Sequence, residues 1–172
     1  MSIDVQQLHA DIDRCLRADQ HRLRNRLRKL RDGQKRKGKT KEPSSDSSPG
    51  DANSADPLQA LVKAIAQSQS SRENRQANLP APTYPQELPV VECRQQIIDS
   101  IRNNPVTIVC GETGSGKTTQ IPKMCLEAGL GVSGLIGHTQ PRRIAARTVS
   151  ARIAAELKTE LGGAVGLSLI HI

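Results

Sequence analysis

Gly111-Glu112-Thr113-Gly114-Ser115-Gly116-Lys117-Thr118 decides how the rest of the chain is read. Gly, four residues, then Gly-Lys-Thr is the spacing of a phosphate-binding P-loop. Three glycines let the backbone turn tightly and approach a phosphate chain with no Cβ in the way. The amide N–H groups of such a loop point inward at phosphate oxygens, and the positive end of the following helix adds to the attraction. Lys117 would reach β- and γ-phosphates as a point charge, and the Thr118 hydroxyl would be a ligand for Mg²⁺. These two are the catalytic candidates.

The flanks supply the context the motif requires. Val106-Thr107-Ile108-Val109-Cys110 is short, apolar and β-branched, and reads as a strand buried on both faces of a parallel sheet. Thr119 to Ala128 reads as a helix with Ile121, Met124, Cys125 and Ala128 on one side. Pro122 removes a backbone donor there and predicts a kink or a late start. After a turn at Gly131 to Gly134, Leu135 to Thr139 reads as a second strand. Strand, helix and strand of this length predict a right-handed βαβ unit, so the fold class is α/β. Thr139-Gln140-Pro141-Arg142-Arg143 leads into a helix through about Leu157, with Ala145, Val149, Ile153 and Leu157 as its buried stripe. A helix start carrying Thr139, Arg142 and Arg143 reads as a second anion site, suited to a polynucleotide phosphate, or as ordinary surface arginines.

The 172-residue chain has a net charge of +8. Residues 1–42 hold 13 Lys/Arg against 6 Asp/Glu, and the rest 12 against 11. The basic character therefore belongs to the N-terminal arm. It suggests an anionic partner, nucleic acid before acidic lipid. Tyr84 is the one aromatic residue. Base-reading single-strand binders stack bases on aromatic rings, so this chain would grip a sugar-phosphate backbone. The four cysteines, at 15, 93, 110 and 125, have no zinc-site or redox-pair spacing, and free thiols fit a cytoplasmic location. No apolar run approaches the ~18 residues of a membrane span, and nothing near Met1 resembles a signal peptide.

Along the chain, residues 1–33 read as a basic helical arm. One helix is expected over 2–31, with Val5, Leu8, Ile12, Leu16, Leu23, Leu27 and Leu30 as its stripe and Ser2 as a cap. Its arginines are either an RNA- or ribosome-touching surface or a solvated helix face. Residues 34–56 read as a disordered linker, too poor in apolar residues to offset ordering entropy. Residues 57–88 read as a helix started by Asp56-Pro57, with Leu58, Leu61, Val62 and Ile65 on one face, followed by a Pro-rich extended segment. Tyr84 should pack that segment onto the globular domain, which begins near Pro89.

The letters around both phosphate-binding stretches resemble one family. Residues 111–122, continuing Thr119-Gln120-Ile121-Pro122, look like motif I of the DEAH-box ATP-dependent RNA helicases, and Thr139-Gln140-Pro141-Arg142-Arg143-Ile144-Ala145-Ala146 looks like their motif Ia. The flanks Thr83-Tyr84-Pro85-Gln86-Glu87-Leu88-Pro89-Val90 and Gly134-Leu135-Ile136-Gly137-His138-Thr139 resemble the bacterial HrpA-type branch. The resemblance covers about residues 83–166. It implies that 89–172 is the N-terminal part of a RecA-like ATP-binding domain. It implies that Gly111, Glu112, Thr113, Gly114, Ser115, Gly116, Lys117, Thr118 and Thr119 hold ATP or another nucleoside triphosphate with Mg²⁺. Arg152 matches the arginine that stacks on adenine in relatives, and Thr139, Arg142 and Arg143 would contact single-stranded RNA backbone. Leu167 to Ile172 departs from the family pattern. A truncated or frameshifted end is expected, without the Asp-Glu-Ala-His motif or a second RecA-like domain, and so little hydrolysis by this chain alone.

Two other readings stay open. One is a P-loop ATPase that does not act on RNA, which would not need Thr139 to Arg143. The other is a non-catalytic basic nucleic-acid-binding module whose working part is residues 14–41.

Overall fold

A computed structural model of the chain describes residues 5–37 and 56–168. The expected cap at Ser2, residues 38–55 of the linker expected over 34–56 and the chain end from Leu169 lie outside the described residues, while residues 34–37, expected in that linker, are helical. Two compact units are present, residues 1–75 and 76–172.

The first unit is built on helices α1 (Val5–Asp13), α2 (Arg17–Lys37) and α3 (Pro57–Ala77). The single helix expected over 2–31 is therefore two helices, and α3 supplies the reason. The Leu16 amide is taken by the Ser68 hydroxyl of α3 at 3.1 Å instead of continuing the helix. Just before it, the Arg14 and Cys15 amides reach back three residues, to Asp11 and Ile12, the tight pattern of a helix end. Carbonyls at the break are also met from α3. Gln69 Nε2 donates to Asp11 at 2.8 Å and Arg72 Nη1 to Arg14 at 2.9 Å.

Across this corner Ile12, Cys15, Leu23, Leu27, Leu61 and Ile65 form one buried cluster. Each of its larger side chains stabilises the unit by about 1.5–3 kcal/mol. At the start of α3, Asp56 Oδ1 accepts the Leu58 amide at 3.1 Å, with Pro57 in the position where a missing N–H is harmless. Val62, expected on the apolar face of α3, is 48% exposed, and Ser68 is buried in the stripe instead.

The second unit carries α4 (Pro89–Glu92), α5 (Arg94–Asn103), α6 (Lys117–Glu127) and α7 (Arg143–Glu156). Val90, Val91, Ile97, Ile98 and Met124 form its central cluster, with Tyr84, Leu88, Ile101, Val109 and Ile121 packed against it. The α/β fold expected for this part, a parallel sheet opening a RecA-like domain, is not formed. Among the described residues there is no strand, and the one bridge, Leu161 to Val165, closes a local turn.

A strand persists through the ladder that pairs its N–H and C=O groups with a neighbour, and residues 106–110 and 135–139 have no such neighbour. Residues 106–110 are covered on one side only. Thr107 Oγ1 lies 3.1 Å from Ser100 Oγ and Val109 joins the central cluster, while Val106 and Ile108 are 74% and 84% exposed. Leu135 is 91% exposed. The β-branched run thus gives an extended segment laid on helices.

The Ser68 hydroxyl also donates to Asp19 Oδ2 at 2.8 Å, so Ser68→Ala should destabilise the first unit by about 1–3 kcal/mol, because it strands the Leu16 amide and that oxygen. Ser71→Ala, whose hydroxyl bonds only within its own helix, should change stability by less than about 0.5 kcal/mol. Urea unfolding followed by circular dichroism compares the two.

Candidate functional site

The loop before α6 is shaped by two glycines in the left-handed region, Gly114 at φ 87° and Gly116 at φ 91°. Gly116 is constrained twice. A Cβ there would also stand 2.9 Å from Leu88 Cδ1 and 3.3 Å from Val90 Cγ1. The Leu88–Val90 segment is thus the floor of the loop, and the Val90 amide donates to the Ser115 carbonyl at 3.2 Å. Sequence reading placed 83–90 near the domain but not beneath the loop.

Lys117, the first residue of α6, turns its ammonium back into the loop. Nζ donates to the Gly111 carbonyl at 2.7 Å, the Glu112 carbonyl at 2.6 Å and Ser115 Oγ at 3.0 Å. The Ser115 hydroxyl itself donates to the Glu112 carbonyl at 2.8 Å. The side chains of Glu112, Thr113 and Thr118 are exposed at the loop and the first turn of α6. Thr119 faces inward: its hydroxyl donates to the Gly116 carbonyl at 3.2 Å. A positive side chain, a helix N-terminus and close-packed main chain therefore meet at one place.

Beneath the loop lies a polar cluster that the sequence did not announce. Lys123 and Gln120 of α6 are fully buried. Lys123 Nζ forms an ion pair with Glu156 of α7 and donates to the Thr83 carbonyl at 2.6 Å. Gln120 Nε2 donates to Glu156 Oε2 at 3.1 Å and to Thr119 Oγ1 at 2.9 Å. Gln120 Oε1 is buried without a partner. Burial pushes the Glu156 carboxyl up, but hydrogen bonds from Lys123, Arg152 and Gln120 and the Lys123 charge outweigh it and hold the group below its ordinary value. Tyr84 completes the cluster. Lys123 Nζ and Arg94 lie 5.0 and 4.8 Å from its ring centre, and its hydroxyl donates to Glu127 Oε2 at 2.7 Å. Burial, then the Glu127 carboxylate, pushes the Tyr84 phenol well above its usual range.

Arg152 stands one turn before the end of α7, 64% exposed, with Nε on Glu156 Oε1 at 2.6 Å. The structure so joins Arg152 to α6 through a single carboxylate. Thr139, Arg142 and Arg143 are exposed at the start of α7. Arg142 is the N-cap, so the helix begins two residues after Pro141. The buried residues of α7 are Ser150, Ile153 and Ala154, with Leu157 just beyond, while Ala145 and Val149 are half-buried.

Over 109 residues the chain is 57% identical to the ATP-dependent RNA helicase HrpA of Escherichia coli K12, covering 63% of this chain and 8% of that protein. The HrpA homolog of Haemophilus influenzae is 54% identical over 107 residues, 62% of this chain and 8% of that one. The chain is related to the HrpA-type, DEAH-box RNA helicases. Similarity extends to the probable ATP-dependent RNA helicase DHX40 of Homo sapiens, 49% identical over 85 residues, which are 49% of this chain and 10% of that protein. The chain thus spans less than a tenth of the length of the HrpA proteins it matches. No family model matches it. Among the described residues no helix is long and apolar enough to cross a membrane.

The Glu156 carboxyl sets a pH dependence. Its value is lowered in the folded chain, so its contribution is fully present above the ordinary value of 4.5 and is lost as pH falls through the folded value. Urea unfolding of the second unit should show stability falling as pH drops below about 4.5. Glu156→Gln should be less stable at neutral pH and show a shallower acid fall.

Proposed function

We propose that residues 111–118 bind the phosphates of ATP, or another nucleoside triphosphate, with Mg²⁺, in a protein that couples its hydrolysis to movement along RNA. The observation that carries this reading is the Lys117 ammonium, drawn into a glycine loop at the N-terminus of α6. Phosphate oxygens are stronger acceptors than the carbonyls now holding it, so the same side chain serves both partners. The relatives' name, ATP-dependent RNA helicase, supports the same reading.

The residues present fit Mg²⁺ in one way only. Among the described residues no group of three or more His, Cys, Asp or Glu could cage a metal. An exposed hydroxyl at Thr118 suits an ion that keeps most of its waters and takes its other ligands from phosphate. Bound there, Mg²⁺ would neutralise phosphate charge. Lys117 and the loop amides orient the phosphates, and Arg152 offers a planar cation to the base. Thr119 is assigned to the same nucleotide site, where its hydroxyl also supports the loop through the Gly116 carbonyl.

Thr139, Arg142 and Arg143 are assigned to RNA backbone, supported by their exposure at the start of α7. The first unit adds Arg17, Arg28 and Lys29, also exposed, as a second basic surface. The relatives' name, RNA helicase, supports RNA as the partner, and a cytoplasmic location is proposed with it.

Two measurements test the proposal. Lys117→Ala should abolish binding of a fluorescent ADP analogue while leaving the circular dichroism spectrum unchanged; retained binding would refute the loop assignment. Arg142→Ala/Arg143→Ala should weaken single-stranded RNA binding and reduce the slope of log affinity against log salt by about 1.4, for two lost phosphate contacts. Equal slopes, with the loss appearing instead in Arg28→Ala/Lys29→Ala, would assign RNA to the first unit.

A further inference from the structure

Glu156 does more than neutralise Lys123. One oxygen serves the buried lysine and Gln120, both on α6. The other accepts Arg152 Nε at 2.6 Å from one turn back on α7. The Glu156 carbonyl accepts the Thr83 hydroxyl at 3.2 Å. The residue is 12% exposed, whereas Arg152 is 64% exposed. The bond to Arg152 is therefore not required to compensate a buried charge.

What it does is fix a long side chain that in water would sample many rotamers. Anchoring through Nε leaves both terminal nitrogens of the guanidinium free of the carboxylate. The same carboxylate leads back to the phosphate loop. Gln120 bridges Glu156 to Thr119, and Thr119 bonds the carbonyl of Gly116.

We infer that Glu156 is a positioning residue: it holds Arg152 as the platform for the nucleobase, in register with the loop that holds the phosphates. This rests on the reading of residues 111–118 and Arg152 given above.

Titration calorimetry of the full chain with Mg·ADP and with Mg·pyrophosphate separates the parts, because pyrophosphate has no base. Glu156→Gln should weaken ADP about ten-fold and pyrophosphate less than about two-fold, the loss of one charge-assisted bond. Arg152→Ala should do the same, and the double variant should be no weaker for ADP than Arg152→Ala alone. Since Glu156→Gln leaves Lys123 buried against a neutral amide, Lys123→Met/Glu156→Gln removes both charges and is the second variant. It should show the same selective loss.

Equal weakening of both ligands in both Glu156 variants would make the residue merely structural and overturn the inference, as would unchanged ADP affinity. If Arg152→Ala leaves ADP affinity unchanged, the base assignment falls and takes the inference with it. If the unaltered chain binds neither ligand, the phosphate assignment falls as well.

Discussion

The buried ion pair between Lys123 and Glu156 is the contact on which the second unit turns. An ammonium taken fully out of water costs several kcal/mol unless its partners are complete. Here they are the Glu156 carboxylate, the Thr83 carbonyl and the face of Tyr84. Those partners come from α7 and from the Pro-rich segment before α4. One lysine thus gathers three stretches of chain that share no regular ladder. Arg94 and Tyr84 repeat the device at Glu127, where the carboxylate accepts from both at 2.7 Å.

The glycine loop before α6 depends on this arrangement from below and from the side. Its backbone needs glycine at 114 and 116, and at 116 the reason is as much Leu88 as the dihedral angle. The residues that floor the loop lie immediately after those that cover Lys123. A chain that loses the Thr83–Val90 segment loses both. That link explains why a segment with four prolines between Leu79 and Pro89 is ordered without a helix or strand of its own: the Thr83 carbonyl and the Tyr84 ring are spent on Lys123 of α6 and the Leu88 side chain on the loop.

Much of the site was legible in sequence, because it is local. The glycine spacing, the lysine opening a helix and the helix after Arg142 all follow from residues close together in the chain. The fold was less legible. Val106 to Val109 has the composition of a strand, but composition sets an extended backbone and not a partner, and the described residues provide none. The stripe of Leu8, Ile12, Leu23 and Leu27 was correct as a pattern of burial, yet the break at Arg14–Leu16 depends on Ser68, more than fifty residues away. The Gln120–Lys123–Glu156 cluster was invisible for the same reason. Each member is an ordinary polar residue on a helix, and only packing α6 on α7 brings them together.

Every role proposed for the second unit depends on whether the Lys117 loop receives phosphate. The most direct measurement is an amide ¹H–¹⁵N spectrum of the chain titrated with Mg·ADP. The largest shifts should fall on Gly114 to Thr118, with Gly111 and Glu112 following as Lys117 leaves their carbonyls. Unmoved resonances for these residues at saturating nucleotide, or shifts confined to the first unit, would contradict the phosphate assignment.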